Sequence, residues 1–218
     1  MQPLLRLFED TIGGAVAEVK LKPLPRMLFV VHGAVTVDGR TFTDGEAWHG
    51  TGEAALVPGK DGVTLWRYEL APPGGGGSAA AGPGVVSREK LTALLDTLPK
   101  GDLLMRGDSV GFPPGGCAYL HTHQGPGIRC LIDGGIRIDT HGRSISYGPG
   151  SPWFEAGPEP VFAQAASDRP SRFIRVMILP RALLGKSSIG ASTNTLYCCA
   201  RGFALSSSFT SAIELPKG

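Results

Sequence analysis

Apolar and polar residues alternate along several short stretches of the chain, and this alternation is the main structural signal in the sequence. Val35 and Val37 fall on one face of an extended segment, and Ile136 and Ile138 do the same further along. Glycine and proline, with 32 and 18 residues among 218, supply turns between such stretches. The pattern predicts an all-β chain of many short strands joined by tight turns.

Two segments, residues 29–49 and 130–154, carry the same pattern, and each is closed by a later strand, at 65–72 and 173–180. The shared features, in order, are a strand-ending glycine (Gly33, Gly134), a Gly-Arg turn (Gly39-Arg40, Gly142-Arg143), a Gly-x-x-Trp element (Gly45 with Trp48, Gly150 with Trp153), and an arginine in a closing strand that ends in proline (Arg67, Arg175). Alternation alone is common to all β proteins, but these shared details are not. The sequence therefore predicts an internal duplication.

The duplication predicts four parts of the chain. They are an N-terminal β module at residues 1–74, a Gly/Ala/Pro linker at 75–86, a C-terminal β module at 87–185 and a Ser/Ala/Cys-rich tail at 186–218. The composition of the linker is typical of a flexible connection. The tail either is loosely attached or adds an edge strand through "RGFALSSSF" (201–209), and we expect it to carry no function.

One segment has the periodicity of a helix rather than of a strand. The leucines at positions 91, 94, 95 and 98 fall on one face of a helix over residues 87–98. Ser87 is suited to the N-cap, and Pro99 and Gly101 supply the end. The sequence thus predicts one short connecting helix, which packs across the outside of the second module.

Charge and composition narrow the class of partner. The formal net charge is +2 and the Lys and Arg residues are scattered singly, so the basic stripe that nucleic-acid binding needs is missing. No apolar run approaches the roughly 20 residues of a membrane-spanning helix. The four cysteines, Cys117, Cys130, Cys198 and Cys199, have no CxxC spacing. We therefore expect a cytoplasmic protein with free thiols that binds neither nucleic acid nor membranes.

The stretch "GGCAYLHTHQGPGIRCLIDGG" (115–135) is the part of the sequence that carries recognisable chemistry. On an extended strand, Tyr119, His121 and His123 point to the same side. Two neutral imidazoles placed in this way bind one divalent ion at about 2.0–2.1 Å each. Because two ligands hold a metal weakly, a stable site needs further donors from elsewhere in the chain.

The spacing of these residues resembles the first motif of the cupin superfamily: Gly115, five residues, His121, one residue, His123, and then Gly134 after a short apolar strand. Residues 148–165 occupy the place of the second cupin motif. The resemblance implies an all-β bicupin, two double-stranded β-helix (jelly-roll) barrels over residues 18–180 with a degenerate first module. Cupins include dioxygenases, isomerases, epimerases, lyases, storage proteins and sensor domains, so the fold alone does not identify a function.

The chain departs from the cupin motifs at two of the four positions that usually bind metal. The glutamate of the first motif falls on Gly127 or Ile128, and the histidine of the second falls on Pro160 or Val161. The first module contains no His-x-His, so we interpret it as a structural copy without a metal. The remaining histidines, His32, His49 and His141, are expected in turns or on the surface.

Three interpretations of the histidine pair remain open. In the first, His121 and His123 bind Zn, Fe, Mn or Ni together with a nearby carboxylate, Glu155 or Glu159, and Gln164 reaches the same cavity. In the second, the pocket holds no metal, and Tyr119 and Arg129 hydrogen-bond a polar or anionic ligand together with the pair. In the third, the histidines are structural only.

Two functions follow from these interpretations. The first is a metal-dependent enzyme of the dioxygenase, isomerase or lyase type, which acts on a small molecule in the C-terminal barrel. The second is a non-catalytic protein that binds or senses a small ligand without metal. In both cases the expected partner is a small molecule, and because open jelly-roll edges need covering, the protein is expected to be a monomer or a homodimer.

Overall fold

The computed structural model describes residues 2–75, 79–191 and 210–215. Within these ranges the regular structure consists of strands and one 3₁₀ turn at Arg181–Leu183, so the prediction of an all-β chain is confirmed. The chain divides into two compact units between Asp96 and Thr97, and residues 211–213 group with the first unit. In the described part of the chain, no helix has the length and apolar character needed to cross a bilayer.

The first unit is built from long bent strands. Its strands are β1 (Leu4–Ile12), β2 (Val19–Leu21), β3 (Arg26–Val37), β4 (Arg40–Thr43), β5 (Ala47–Gly50), β6 (Ala54–Ala71) and β7 (Val85–Leu94). They form one sheet in the order β4-β3-β6-β1-β7, with β2 paired to β6 and β5 paired to β3. The register between β3 and β6 shifts twice, on either side of Gly33, which allows these strands to bend around the core.

In the second unit the strands are shorter and form two sheets. They are β8 (Leu103–Phe112), β9 (Cys117–His123), β10 (Gly127–Asp133), β11 (Ile136–Thr140), β12 (Arg143–Tyr147), β13 (Pro152–Glu155), β14 (Val161–Ala165), β15 (Ser171–Pro180) and β16 (Ile189–Ala191). Strand β17 (Thr210–Glu214) is divided between the units, with residues 211–213 in the first. One sheet has the order β13-β10-β15-β8 and the other β12-β11-β14-β9-β16. The apolar core lies between these sheets and includes Val110, Leu131, Ile138 and Phe173.

The internal duplication is visible in the backbone. The β3–β4 hairpin turns through Asp38 and Gly39 with φ of 51° and 75°, and the β11–β12 hairpin turns through His141 and Gly142 with φ of 50° and 69°. Two successive left-handed residues are the signature of a two-residue type I′ turn. His141, which was expected in a turn or on the surface, therefore lies at a hairpin tip, and it occupies the same place in the second hairpin as Asp38 in the first.

Two glycines of the duplicated pattern, one that ends a strand and one in a hairpin turn, provide a test of this architecture. A Cβ at Gly134 (φ 82°) would lie 2.2 Å from the carbonyl oxygen of Pro170, whereas a Cβ at Gly142 (φ 69°) would meet no atom within 4 Å. We expect Gly142→Ala to cost about 1–2 kcal/mol for the left-handed backbone, and Gly134→Ala about 3 kcal/mol because the clash adds to it. Urea unfolding measures both. Equal losses of stability in the two variants would contradict the close approach at Gly134.

The predicted helix at 87–98 is wrong, because residues 85–94 form strand β7. This strand pairs antiparallel with β1, with Leu91 opposite Leu7 and Leu94 opposite Leu4. Helix propensity is a weak preference, and here the hydrogen bonds to β1 outweigh it. The pairing also covers the open edge of β1. The unit boundary consequently falls after Asp96 rather than in the predicted linker at 75–86.

Two expectations about the cysteines and the tail have different outcomes. Cys117 is disulfide-bonded, so the expectation of a free thiol there is wrong, while Cys130 is buried and forms no disulfide. The edge strand predicted through residues 201–209 lies outside the described residues. A cytoplasmic location stays a prediction.

Candidate functional site

Strand β9 brings His121 and His123 to the interior of the second unit. Its register with β14 shifts by one residue between Ala118 and His121, which is the mark of a β-bulge. As a result Ala118, His121 and His123 line one cavity, while the ring of Tyr119 packs against Phe162 at a centroid distance of 6.3 Å. The expectation that Tyr119 shares a face with the two histidines did not allow for this bulge.

The cavity between the two sheets of the second unit is small and largely enclosed. Its volume is about 20 Å³, which is room for one water molecule or one ion. The polar side chains in its wall are His121, His123, Arg129, Glu155 and Arg175, and the rest of the wall is apolar or aromatic. Charged groups thus meet an ion-sized space inside a hydrophobic core, where their interactions are little screened.

Glu155 enters this cavity from a different strand than the cupin motif would use. The motif places a glutamate at Gly127 or Ile128, and a Cβ at Gly127 would lie 2.5 Å from the carbonyl oxygen of Val176. Glu155 lies directly opposite Gly127 in the pairing of β10 with β13. Side chains opposite each other across two strands share a face. A carboxylate from the neighbouring strand therefore reaches the region in which the motif's own carboxylate is missing.

The carboxylate of Glu155 is held by three neighbours. The indole nitrogen of Trp153 donates a hydrogen bond to Oε1 at 2.8 Å, while Oε2 lies 3.2 Å from His123 Nε2 and 2.8 Å from Arg129 Nη2. Burial by itself would raise the pKa of Glu155, but Arg129, His123 and Trp153 together hold it well below its usual value. Glu155 is therefore ionised at neutral pH.

Both histidines are neutral at neutral pH. Burial lowers the pKa of His121, and burial together with the nearby Arg129 charge lowers the pKa of His123 to about 4 in spite of Glu155. A neutral imidazole has one N–H. We assign it from the hydrogen-bond partners: His121 Nδ1 donates to the carbonyl oxygen of Tyr119 at 2.6 Å, and His123 Nε2 faces the carboxylate.

The other ring nitrogen of each histidine therefore carries a lone pair. His123 Nδ1 is buried and has no hydrogen-bond partner among the residues that the structure describes. Lone pairs of this kind bind metal ions or accept hydrogen bonds, and they cannot donate to an anion.

A second layer of charge surrounds the site. Arg175 donates to both oxygens of Asp108 at 2.7 and 3.0 Å, and Arg106 Nε lies 3.6 Å from the same carboxylate. Arg129 donates to the carbonyl oxygen of Gly127 at 2.7 Å. Three guanidinium groups thus face two carboxylates, with all five side chains buried. The site keeps one excess positive charge.

The structure brings together four of the seven residues that sequence reasoning proposed for the site: His121, His123, Arg129 and Glu155. The other three do not line the cavity. Gln164 alternates with the cavity-lining Val161 and Ala163 and so faces away from it. Glu159 is half exposed, and its nearest titratable neighbour is His141 at 4.0 Å.

Sequence reasoning missed three residues of the site, Trp153, Arg175 and Asp108. The sequence marks Trp153 only as part of the Gly-x-x-Trp element, but its indole also orients Glu155, and its position two residues earlier on the same strand was the available signal. Arg175 matches Arg67 in the duplication, and each of these arginines binds an aspartate, Asp108 and Asp10 respectively. The two aspartates occupy different positions within their strands, so the sequence alone does not show that they correspond to each other.

The donor set can be compared with the needs of a divalent metal. In the part of the chain that the structure describes, no three His, Cys, Asp or Glu side chains are already arranged around one point as ligands. The donors themselves are present.

The hydrogen bond from His121 Nδ1 to a backbone carbonyl is the outer contact that metal-binding histidines commonly make. Because this contact orients the ring and leaves Nε2 with its lone pair, the residues present fit a metal.

Several solved structures are similar to this chain. AerE from Microcystis aeruginosa is 11% identical with a TM-score of 0.56, and the match covers 83% of this chain and 89% of that one. Oxalate decarboxylase from Bacillus subtilis is 14% identical with a TM-score of 0.54, covering 81% and 68%. The cupin 2 conserved barrel domain protein from Leptotrichia buccalis is 14% identical with a TM-score of 0.49, covering 81% and 84%.

Sequence comparison adds no closer relative. No family model matches the chain, and no curated protein matches it. At identities of 11–14%, the likeness to solved structures is a likeness of fold.

Proposed function

We propose that this chain, which has the cupin fold, holds a divalent metal ion in its second unit through His121, His123 and Glu155. The observation that carries the proposal is the pairing of two neutral imidazoles with an ionised, buried carboxylate around an ion-sized cavity. Zn, Fe, Mn and Ni all accept such nitrogen and carboxylate ligands. The similar oxalate decarboxylase of Bacillus subtilis contains Mn(II) centres, which supports the proposal further.

The protonation of the histidines favours a metal over an anion as the direct partner of the pair. Each histidine has a single N–H: His121 donates it to the carbonyl oxygen of Tyr119, and the N–H assigned to His123 Nε2 faces Glu155 Oε2 at 3.2 Å. Their remaining nitrogens offer electron pairs, which a cation accepts and an anion does not. This distinction argues against the interpretation in which the pair hydrogen-bonds an anionic ligand.

A bound metal would make the site that of an enzyme acting on a small oxygen-bearing molecule, of the dioxygenase, isomerase or lyase type. The ion would supply Lewis acidity to a substrate oxygen. The chain's own residues have separate tasks. Trp153 orients Glu155, the apolar wall excludes bulk water, and Arg129 is the nearest fixed positive charge for an anionic group.

A second candidate, a metal-free protein that binds a small ligand, is favoured by one observation. Arg129 already contacts Glu155 Oε2, and the surrounding side chains keep an excess positive charge. Both features oppose a divalent cation. The same experiment therefore has to distinguish the two functions.

Metal analysis of the purified protein, expressed with added Zn, Fe, Mn and Ni, tests the proposal. We expect close to one ion per chain in the wild type. In His121→Ala, His123→Ala and Glu155→Gln, the content is expected to fall roughly tenfold or more, because each loses a ligand. His141→Ala, at an exposed hairpin tip, is the control and is expected to keep its metal. A wild type without metal would favour the second candidate, and full metal content in all three variants would refute the site.

A further inference from the structure

The first unit contains a cavity of its own, with a volume of about 240 Å³. It is lined by β2, the loop that follows it, the start of β3, the end of β6 and residues 79–81. Its volume is several times that of a single water molecule and just below the range of drug-sized sites. The cavity is therefore suited to a small metabolite.

The floor of the cavity is a buried ion network. Glu69 Oε1 lies 3.1 Å from Arg26 Nε and 2.8 Å from Arg67 Nη1. Arg67 in turn donates to Asp10 at 2.6 Å, and Arg26 donates to the carbonyl oxygens of Lys22 and Gly52. Arg26, Arg67 and Glu69 are each no more than 1% exposed. The side chains that form this floor are held firmly in place.

One atom of this network lacks a partner. Glu69 Oε2 is buried and has no hydrogen-bond partner among the described residues, although Glu69 lines the cavity. Leaving a buried charged acceptor unpaired is costly, because it has lost its water without gaining a donor. A ligand in the cavity that carries a hydroxyl or an amino group would supply the missing donor.

The rim of the cavity is positively charged. Lys20 and Lys22 are both exposed, and Lys20 Nζ is 3.4 Å from Glu18. Counting Asp10 behind Arg67 and Glu18 beside Lys20, four cationic side chains stand against three carboxylates. The excess of one positive charge favours an anion at the rim.

The remaining wall is apolar. It consists of Leu21, Leu24 and Ala79 to Ala81. A ligand that fits must then have an anionic end, a short carbon skeleton and a hydrogen-bond donor.

We propose that the cavity of the first unit binds a small carboxylic acid that carries a hydroxyl or an amino group. Its carboxylate lies against Lys20 and Lys22, and its hydroxyl or amino group donates to Glu69 Oε2. The polar lining of this site contains no histidine, so it is independent of the metal proposed for the second unit. The first unit is thus a binding module with a function separate from the histidine pair.

Calorimetric titration of the full chain with four compounds tests this proposal. Lactate and alanine carry both a carboxylate and a donor, propionate lacks the donor, and glycerol lacks the carboxylate. We expect lactate or alanine to bind about tenfold more tightly than propionate, because one additional hydrogen bond to a buried charged group contributes about this factor in affinity. Glycerol is expected not to bind measurably.

Variants assign the binding to this cavity. The double variant Lys20→Ala/Lys22→Ala changes only exposed side chains and is expected to weaken lactate or alanine binding about fivefold. Lys60→Ala, an exposed lysine of the same unit outside the cavity, is the matched control and is expected to leave binding unchanged. In Glu69→Gln, the preference for lactate over propionate is expected to shrink, because a neutral amide accepts more weakly than a carboxylate.

Three results would overturn the proposal. One is the absence of binding by both lactate and alanine. Another is equal binding of lactate, alanine and propionate, which would reduce the site to a general attraction of anions to lysine. The third is loss of binding in His121→Ala/His123→Ala with retention in Lys20→Ala/Lys22→Ala, which would move the ligand to the second unit.

Discussion

Replacing Arg129 by methionine is expected to lower the free energy of unfolding of the metal-free protein by about 3–5 kcal/mol. Arg129 is 1% exposed, and among the described residues it is the only cationic side chain in direct contact with the ionised Glu155. His123 also contacts Glu155, but its ring is neutral. Methionine preserves much of the volume but leaves a buried carboxylate without its countercharge. Urea unfolding in the presence of a chelator measures the loss.

The double variant Arg129→Met/Glu155→Gln is the matched control, because it removes both charges. We expect it to recover most of the lost stability. A divalent metal should also stabilise Arg129→Met more than it stabilises the wild type, since the ion no longer competes with a guanidinium for Glu155. If the single variant is as stable as the wild type, the Arg129–Glu155 ion pair does not have the energetic role that its burial implies.

Replacing Asp108 by alanine is expected to cost a similar amount, about 3–5 kcal/mol. Asp108 accepts two hydrogen bonds from Arg175 and lies 3.6 Å from Arg106, and all three side chains are nearly buried. Without the carboxylate, two guanidinium groups remain close together away from bulk water. Chemical or thermal unfolding of the variant measures the effect.

Asp168→Ala provides the comparison for this variant. Asp168 is also paired with an arginine, Arg169, at 2.6 Å, but both side chains are at least 60% exposed. Exposed ion pairs contribute at most about 1 kcal/mol, so we expect little change. Similar losses in the two aspartate variants would show that burial does not determine the value of these pairs.

The periodicity of apolar residues correctly predicted those strands whose own sequence alternates between apolar and polar residues. The alternation of apolar residues and the repeated turns were sufficient for the all-β fold, because core faces and hairpin turns are local properties. The segment at 87–98 was misassigned because its leucine spacing suits a helix, while pairing with β1 decides its structure.

Prediction of the site was limited because the sequence does not show which residues pair with each other across neighbouring strands. His121 and His123 were recognisable from their spacing alone, and Glu155 from its nearness to the second motif. The bulge in β9, which turns Tyr119 away, depends on the pairing with β14 and has no clear signature along the chain. The buried pairs of Arg175 with Asp108 and of Arg67 with Asp10 join residues more than fifty positions apart. Contacts of this kind follow from the fold and cannot be read from local patterns.

The position of Glu155 opposite Gly127 has a consequence for how such sites are recognised. A search along a single strand finds a glycine where an acid is expected and classifies the motif as broken. In three dimensions an acid, Glu155, lies directly across the ladder on the adjacent strand, while at the glycine itself a Cβ would come within 2.5 Å of the carbonyl oxygen of Val176. To decide whether a barrel of this kind has an acidic group at its site, the residues opposite the motif position on neighbouring strands must therefore be inspected. The absence of the motif's glutamate does not by itself mean that the site lacks a carboxylate.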